Sequence, residues 1–306
     1  MLLKKIDKQK EEDILCLKKK LDFSDNEKQK YLIRQELKAL ELGLQGEKET
    51  AYFIDFNLKD SENYVILHDL RFEIDGLTAQ IDHLLISKAV GIILVETKNT
   101  QASVTINDDG TMLYDYGKKS YNVPSPLAQS ERHALVLGLI LEKYNMKIDI
   151  ISCVVFLPEV KITNKILPKS FYRADTFIKD MRDEFQRSPL KMFSVAFKMV
   201  TNNIPSAKNM ENIGNILINE HKPVLIDYDT KYKIKVEKTK NDKKEEVSTD
   251  LEINIKNLNK FKDIQTSKKY MGHEMFSFTC IQCDTIQKKG QNTFRHKEVF
   301  CKSCGN

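Results

Sequence analysis

No apolar run in this chain is long enough to cross a membrane. The longest, residues 135–141, carries Gly138 in its middle and falls well short of a spanning helix. The apolar stretch of a signal peptide is missing too, since residues 1–10 are dominated by charge. These absences argue against membrane insertion and export, and the expected location is the cytoplasm. A strong charge bias is also lacking. Lys and Arg number 49 against 44 Asp and Glu, a net charge of +5. That balance permits contact with nucleic acid without arguing for it. No internal repeat occurs. Cysteine is sparse, at six residues, yet four of them form two Cys-x-x-Cys pairs. In a reducing compartment such pairs point to a metal rather than to disulfides.

What is present suffices for one substantial core and a small appendage. Residues 1–45 are rich in Lys, Glu and Leu. Leu32, Ile33, Leu37, Leu40 and Leu44 recur at helical spacing, which predicts an amphipathic helix over residues 27–42, stopped at Gly43. A second helix is expected over residues 47–58, after Gly46. It sets Glu47 on one face with Thr50, Ala51, Ile54 and Leu58, and a carboxylate on an inward face is unusual. Strands are expected at 64–74, 80–87 and 92–97, with weaker strand signals and an Asp-Asp-Gly turn within 103–122. Pro124 and Pro126 precede a helix over 127–144, which leads to an apolar strand over 150–157. Residues 174–220 read as two or three helices. Residues 231–246 hold seven lysines and four acids, which reads as a solvated linker, with a DNA-tracking arm as the alternative. The expected organisation is a helical extension (1–45), an α/β core (46–160), a helical region packed on it (161–230), a charged linker (231–270) and a cysteine module (271–306).

The segments at 80–87 and 92–97 carry the strongest catalytic signal. Treated as a hairpin centred on Ala89, they pair residues whose numbers sum to 178. Leu84 then meets Leu94, Asp82 meets Glu96, and Gln80 meets Lys98. Opposed side chains share one face, about 5 Å apart at Cβ, and a slip of one residue would scatter them. Two carboxylates so close repel unless a cation lies between them. Oxygen ligands select a hard ion, Mg²⁺ or Mn²⁺. A lysine two residues along can neutralise developing charge or hold an attacking water. The competing reading is a plain surface ion pair, which the apolar run of residues 92–95 weakens.

Gly46-Glu47, Gln80-Ile81-Asp82, Glu96-Thr97-Lys98-Asn99 and Pro126-Leu127-Ala128-Gln129 stand in the order found in the nuclease-related domain (NERD). Over about residues 40–160 the chain resembles that domain, which is itself similar to the PD-(D/E)xK nuclease superfamily. The resemblance implies a restriction-endonuclease-like core in α-β-β-β-α-β order, a mixed central sheet flanked by helices. It implies that Asp82, Glu96 and the Thr97 carbonyl bind Mg²⁺ or Mn²⁺ and that Lys98 orients the nucleophilic water. Glu47 would reach the site from the preceding helix. Gln129 would contact the site or the phosphate, and His133, one turn on, is a weaker candidate than a partly exposed helix histidine. The chain departs from the family pattern in having Ala102 where Gly is usual and Ser125 where Asn often stands.

At the C-terminus, Cys280-x-x-Cys283 and Cys301-x-x-Cys304 are separated by seventeen residues. This spacing is a strong signal for structural Zn²⁺, and the module resembles a zinc ribbon. A segment this short cannot bury enough apolar surface to fold alone, so the metal would stabilise it. Cys153, on an apolar strand, reads as core. Lys288, Lys289, Arg295 and Lys297, with Phe294 and His296, suit contacts to phosphate and bases, although protein docking fits equally well. The leading expectation is therefore a Mg²⁺-dependent nuclease acting on DNA. The alternatives are a catalytically inactive nucleic-acid-binding protein and an interaction scaffold docking partners through its N-terminal helices or ribbon.

Overall fold

The computed structural model describes residues 1–187 and 206–232 in full, and the backbone of three further strands between 261 and 290. The chain divides into two compact units, Met1–Lys235 and Val236–Asn306.

The first unit is built on a six-stranded mixed sheet. Strands β2 (Tyr64–Ile74), β3 (Leu77–Ser87) and β4 (Gly91–Lys98) form an antiparallel meander. Helix α3 (Pro126–Lys143) then carries the chain to β8 (Ile150–Phe156), which pairs parallel to β4. This is the order expected for the core. Two three-residue strands extend the sheet: β1 (Leu2–Lys4) lies parallel to β2, and β9 (Phe171–Arg173) parallel to β8. The segment read as a purely helical extension thus begins with a sheet strand. Strands this short show too little alternation to register in sequence. A separate antiparallel sheet, β5 (Ser103–Ile106), β6 (Met112–Asp115) and β7 (Ser120–Val123), fills the interval before α3. Asn164 ties it down, bonding both the N–H and the C=O of Ile106 at 2.8 Å.

Both faces of the large sheet are covered, which explains why β3 and β4 read as near-continuous apolar runs rather than alternating ones. On one face Ile93 and Val95 pack with Ile54 and Leu58 of helix α2 (Glu27–Leu58). On the other, Ile92 and Leu94 pack with Leu137 and Ile140 of α3 and with Met210 and Leu217 of a helix at Ala207–Glu220.

Helix α2 overturns one expectation. It runs unbroken through Gly43 and Gly46, where a stop and a restart were read. Nothing lies near Gly43, and each glycine costs about 1 kcal/mol against alanine, less than the buried stripe of Ile33, Leu44, Ala51, Ile54 and Leu58 supplies. Gly46 serves a different end. A Cβ there would sit 2.8 Å from Asn99 Cβ and 3.2 Å from Thr97 Cγ2, so its absence lets the helix press against the end of β4.

Helix α1 (Gln9–Phe23) packs antiparallel on α2, and Leu17 and Ile33 form a cluster with Tyr228 and Tyr232. Helix α4 (Phe177–Gln186) follows β9, the helix at Ala207–Glu220 is α5, and Tyr228–Tyr232 is α6. Among the described residues no helix is long and apolar enough to cross a membrane.

The second unit contains an antiparallel sheet of β10 (Phe261–Tyr270), β11 (His273–Cys280) and β12 (Ile286–Gly290). Strand β10 lies inside the span read as linker, so that span is not irregular throughout. Cys280 ends β11, and Lys288 and Lys289 lie on β12 opposite Ser277 and Phe276. Cys283, Cys301, Cys304, Arg295 and Lys297 lie outside the described residues.

Candidate active site

The β3–β4 register places the expected residues. The ladder pairs Ser87 with Gly91, Leu84 with Leu94 and His83 with Val95, the register read from the sequence. Beyond His83 it gives way to a side-chain contact: the Thr97 N–H donates to Asp82 Oδ2 at 2.8 Å. Glu96 is buried and accepts from Lys98 Nζ at 2.6 Å. Gln80 is not part of this group. It is exposed and pairs with Arg71 of β2.

Glu47 is buried on α2, as its odd position suggested. Its partner, however, comes from an element the sequence did not implicate. Lys10, on α1, places Nζ 2.5 Å from Glu47 Oε2 and 3.5 Å from Asp69 Oδ1. Asp69 has a φ of 54° and interrupts the β2–β3 ladder between the pairs His68–His83 and Leu70–Ile81. A left-handed aspartate inside a strand is uncommon, and such conformations gather at functional sites. No sequence pattern exposes Lys10: it is one lysine in a charged segment, and only the docking of α1 on α2 brings it here.

The electrostatics follow from crowding. Burial and then the Glu96 charge push the Asp82 carboxyl up to about 7, against the opposing pull of Lys10, the Thr97 amide and Lys98. Burial and then Asp82 push Glu47 up to about 7 as well, despite Lys10. Burial works against the Lys10 ammonium, but Glu47, Asp69 and Asp82 together hold its pKa above the usual lysine value. The two shifts within the Lys10–Glu47 pair are consistent. One ammonium faces several carboxylates, so it stays charged while the acids share the deficit. The group holds four carboxylates, Glu47, Asp69, Asp82 and Glu96, and two ammoniums, Lys10 and Lys98. Fully ionised, it carries two unbalanced negative charges.

Behind this group runs a buried polar chain. His68 Nε2 lies 3.1 Å from Asp55 Oδ1, the two histidines meet Nδ1 to Nδ1 at 2.8 Å, and His83 Nε2 lies 3.1 Å from Thr97 Oγ1. With both rings neutral the donors align in one direction. Thr97 donates to His83, His83 to His68, and His68 to Asp55. Burial, then His68 and Lys10, hold the His83 pKa well below the usual value. Asp55, His68 and His83 were not singled out from the sequence. The period-two spacing that sets His83 opposite in facing to Asp82 and Glu96 was the available signal.

Helix α3 begins beside the site. Its N-cap is Ser125, whose Oγ accepts from the Ala128 N–H at 3.2 Å, with Pro126 following. Ser and Asn are interchangeable in this role, which accounts for one family departure. Ala102 accounts for the other: it is buried and has no positive φ that would demand glycine. Gln129 is half-buried, and its side chain makes no hydrogen bond among the described residues. His133 is held below the usual histidine value by burial, then Arg132 and Lys98.

Residues 42–157 match the family model of the nuclease-related domain. No curated protein and no solved structure matches the chain. The matched residues include Glu47, Asp69, Asp82, Glu96, Thr97, Lys98 and Gln129, while Lys10 lies outside them. Among the described residues no three His, Cys, Asp or Glu side chains are grouped to hold a metal ion. A Mg²⁺ site does not need three. It commonly uses one or two carboxylates and keeps several waters, and Asp82 and Glu96 are two carboxylates close enough for the charge of Glu96 to act on Asp82.

Proposed function

We propose that this protein hydrolyses phosphodiester bonds, in DNA, with Mg²⁺ or Mn²⁺. The observation that supports this most directly is the charge imbalance at the end of β3 and β4. A buried group that carries two uncompensated negative charges when fully ionised matches the charge of one divalent cation. Asp82, Glu96 and the Thr97 carbonyl would hold the ion. When bound, it polarises the scissile phosphate and lowers the pKa of a coordinated water. Lys98, kept beside the acids by Glu96, orients the nucleophilic water. Glu47 supplies a further carboxylate from α2, and Gln129 hydrogen-bonds the phosphate from α3. In the second unit, Cys280, Cys283, Cys301 and Cys304 offer an all-sulfur donor set suited to structural Zn²⁺. Lys288, Lys289, Arg295 and Lys297 would there contact nucleic acid or a protein partner.

One observation favours a second reading, binding without turnover: no three metal-ligating side chains are grouped, and Lys10 already neutralises part of the charge. A single experiment separates the two. Purified protein is mixed with labelled single- and double-stranded DNA and RNA, with chelator, Mg²⁺ or Mn²⁺, and read for both shift and cleavage. The nuclease reading expects DNA cleavage that stops with chelator and is lost in Asp82→Ala and in Lys98→Ala. Salt-sensitive shifts with no product in any metal select the second reading. Full cleavage by both variants removes these residues from the mechanism.

A further inference from the structure

A groove of about 800 Å³ lies between α2 and the small β5–β7 sheet. Its walls include Lys38 from α2 and Tyr114, Tyr116, Lys118, Lys119 and Tyr121 from the β6–β7 hairpin. Three features of this groove point the same way.

The first is charge. Three lysines and no acid line it, and among the described residues none of the three pairs with a carboxylate. The nearby acids are engaged elsewhere. Asp115 accepts from the Gly117 N–H and the Ser120 hydroxyl, Glu41 pairs with Lys18, and Glu36 pairs with Lys231. The second is aromatic surface. Tyr116 and Tyr121 are each 52% exposed. Their rings meet edge to face, at 73° with centroids 6.2 Å apart, rather than stacked on each other. The third is position. Asn99 Nδ2 donates to the Leu42 carbonyl on the α2 wall at 2.9 Å, and Thr100 Oγ1 lies 3.4 Å from Tyr116 Oη. Asn99 and Thr100 are the two residues after Lys98, so both walls of the groove are tied to the segment that follows β4.

We propose that this groove binds single-stranded nucleic acid, with bases stacked on Tyr116 and Tyr121 and phosphates on Lys38, Lys118 and Lys119. Free tyrosine faces suit unpaired bases, because the faces of paired bases are hidden inside the duplex. The inference deepens the nuclease reading, giving its site a track for a frayed or single strand.

The test is binding in chelator, where no cleavage occurs, so that it does not depend on catalysis. A labelled oligothymidylate, the matching duplex and poly-glutamate are titrated into full-length wild type and two double variants, Tyr116→Ala/Tyr121→Ala and Lys118→Ala/Lys119→Ala. Tyr116→Phe/Tyr121→Phe serves as the folding-neutral control. The tyrosine-to-alanine variant should lose single-strand affinity about ten-fold or more while the phenylalanine variant keeps it. The lysine variant should weaken binding and flatten the log–log salt slope by roughly 1.4. Unchanged affinity in both alanine variants overturns the proposal, as does equal loss of duplex or poly-glutamate binding. Asp82→Ala cleavage assays run in parallel keep the two claims apart. Groove-dependent binding without cleavage sinks only the nuclease reading, and Asp82-dependent cleavage with groove-independent binding sinks only this one.

Discussion

Replacing Asp82 with Asn should make the protein's stability less sensitive to pH, by an amount the site's electrostatics set. Burial and the Glu96 charge raise the Asp82 carboxyl from its ordinary 3.8 to about 7. A carboxyl raised on folding binds more protons in the native than in the unfolded state between those values. Wild type therefore loses stability as pH rises through that window, and the loss is complete above about pH 7. That difference corresponds to roughly 4 kcal/mol for one carboxyl. Asn mimics the protonated acid and can still accept the Thr97 N–H. The variant should match wild type near pH 4 and exceed it by up to about 4 kcal/mol near pH 8 in chelator, an advantage of roughly 8–16 °C in midpoint for a unit of this size. Sharing of the proton between Asp82 and Glu47 broadens the transition without changing its sign. Urea denaturation of both proteins at several pH values measures the difference. Adding Mn²⁺ at pH 8 should close the gap by stabilising wild type alone. Parallel stabilities across pH would show that Asp82 is not held in a crowded anionic site, and the reasoning about divalent binding would fall with it.

Three further outcomes are expected. Lys10→Met keeps the aliphatic stem and removes the ammonium. At pH 8 it should bind Mn²⁺ about ten-fold tighter in calorimetry, and weaker binding would mean that Lys10 organises the site rather than competing there. Gly46→Ala should cost about 1–3 kcal/mol by chemical denaturation, because its Cβ would press on Asn99 Cβ, and a neutral result would mean that α2 moves freely against β4. His83 should stay neutral in the folded protein as pH falls through the ordinary histidine value of 6.5, so that stability falls there because only the unfolded chain takes up the proton. Side-chain NMR showing His83 titrating near its ordinary value would break the Thr97–Asp55 chain.

The legible parts of this molecule were those set by period and register. The β2–β3–β4 meander, α3 and β8 announce themselves through runs of Val, Ile and Leu. The hairpin register follows from the short turn around Ala89, which fixes which residues of β3 and β4 face each other. Glu47 could be suspected because a charge on a helical face of Thr50, Ala51 and Ile54 has no cheap explanation. Helix punctuation failed at Gly43 and Gly46, since tertiary burial outweighs a propensity of about 1 kcal/mol. Lys10, Asp69 and the His68–Asp55 link were invisible for a different reason. Each owes its role to a partner distant in sequence or to a left-handed backbone that no residue pattern records. The Tyr116–Tyr121 hairpin likewise reads as an ordinary turn until α2 is laid beside it.

The continuity of α2 has a consequence for how the molecule could respond to force or docking. Thirty-two residues without a break make a stiff rod of roughly 48 Å. One end is gripped by Leu17, Tyr228 and Tyr232, the middle carries Glu47 and the glycine wedged against Asn99, and the far end presents Asp55 to His68. Had the helix ended at Gly43, a partner seizing the first turns would move only a hinge. As built, twisting those turns rotates the acid, the wedge and the histidine acceptor together.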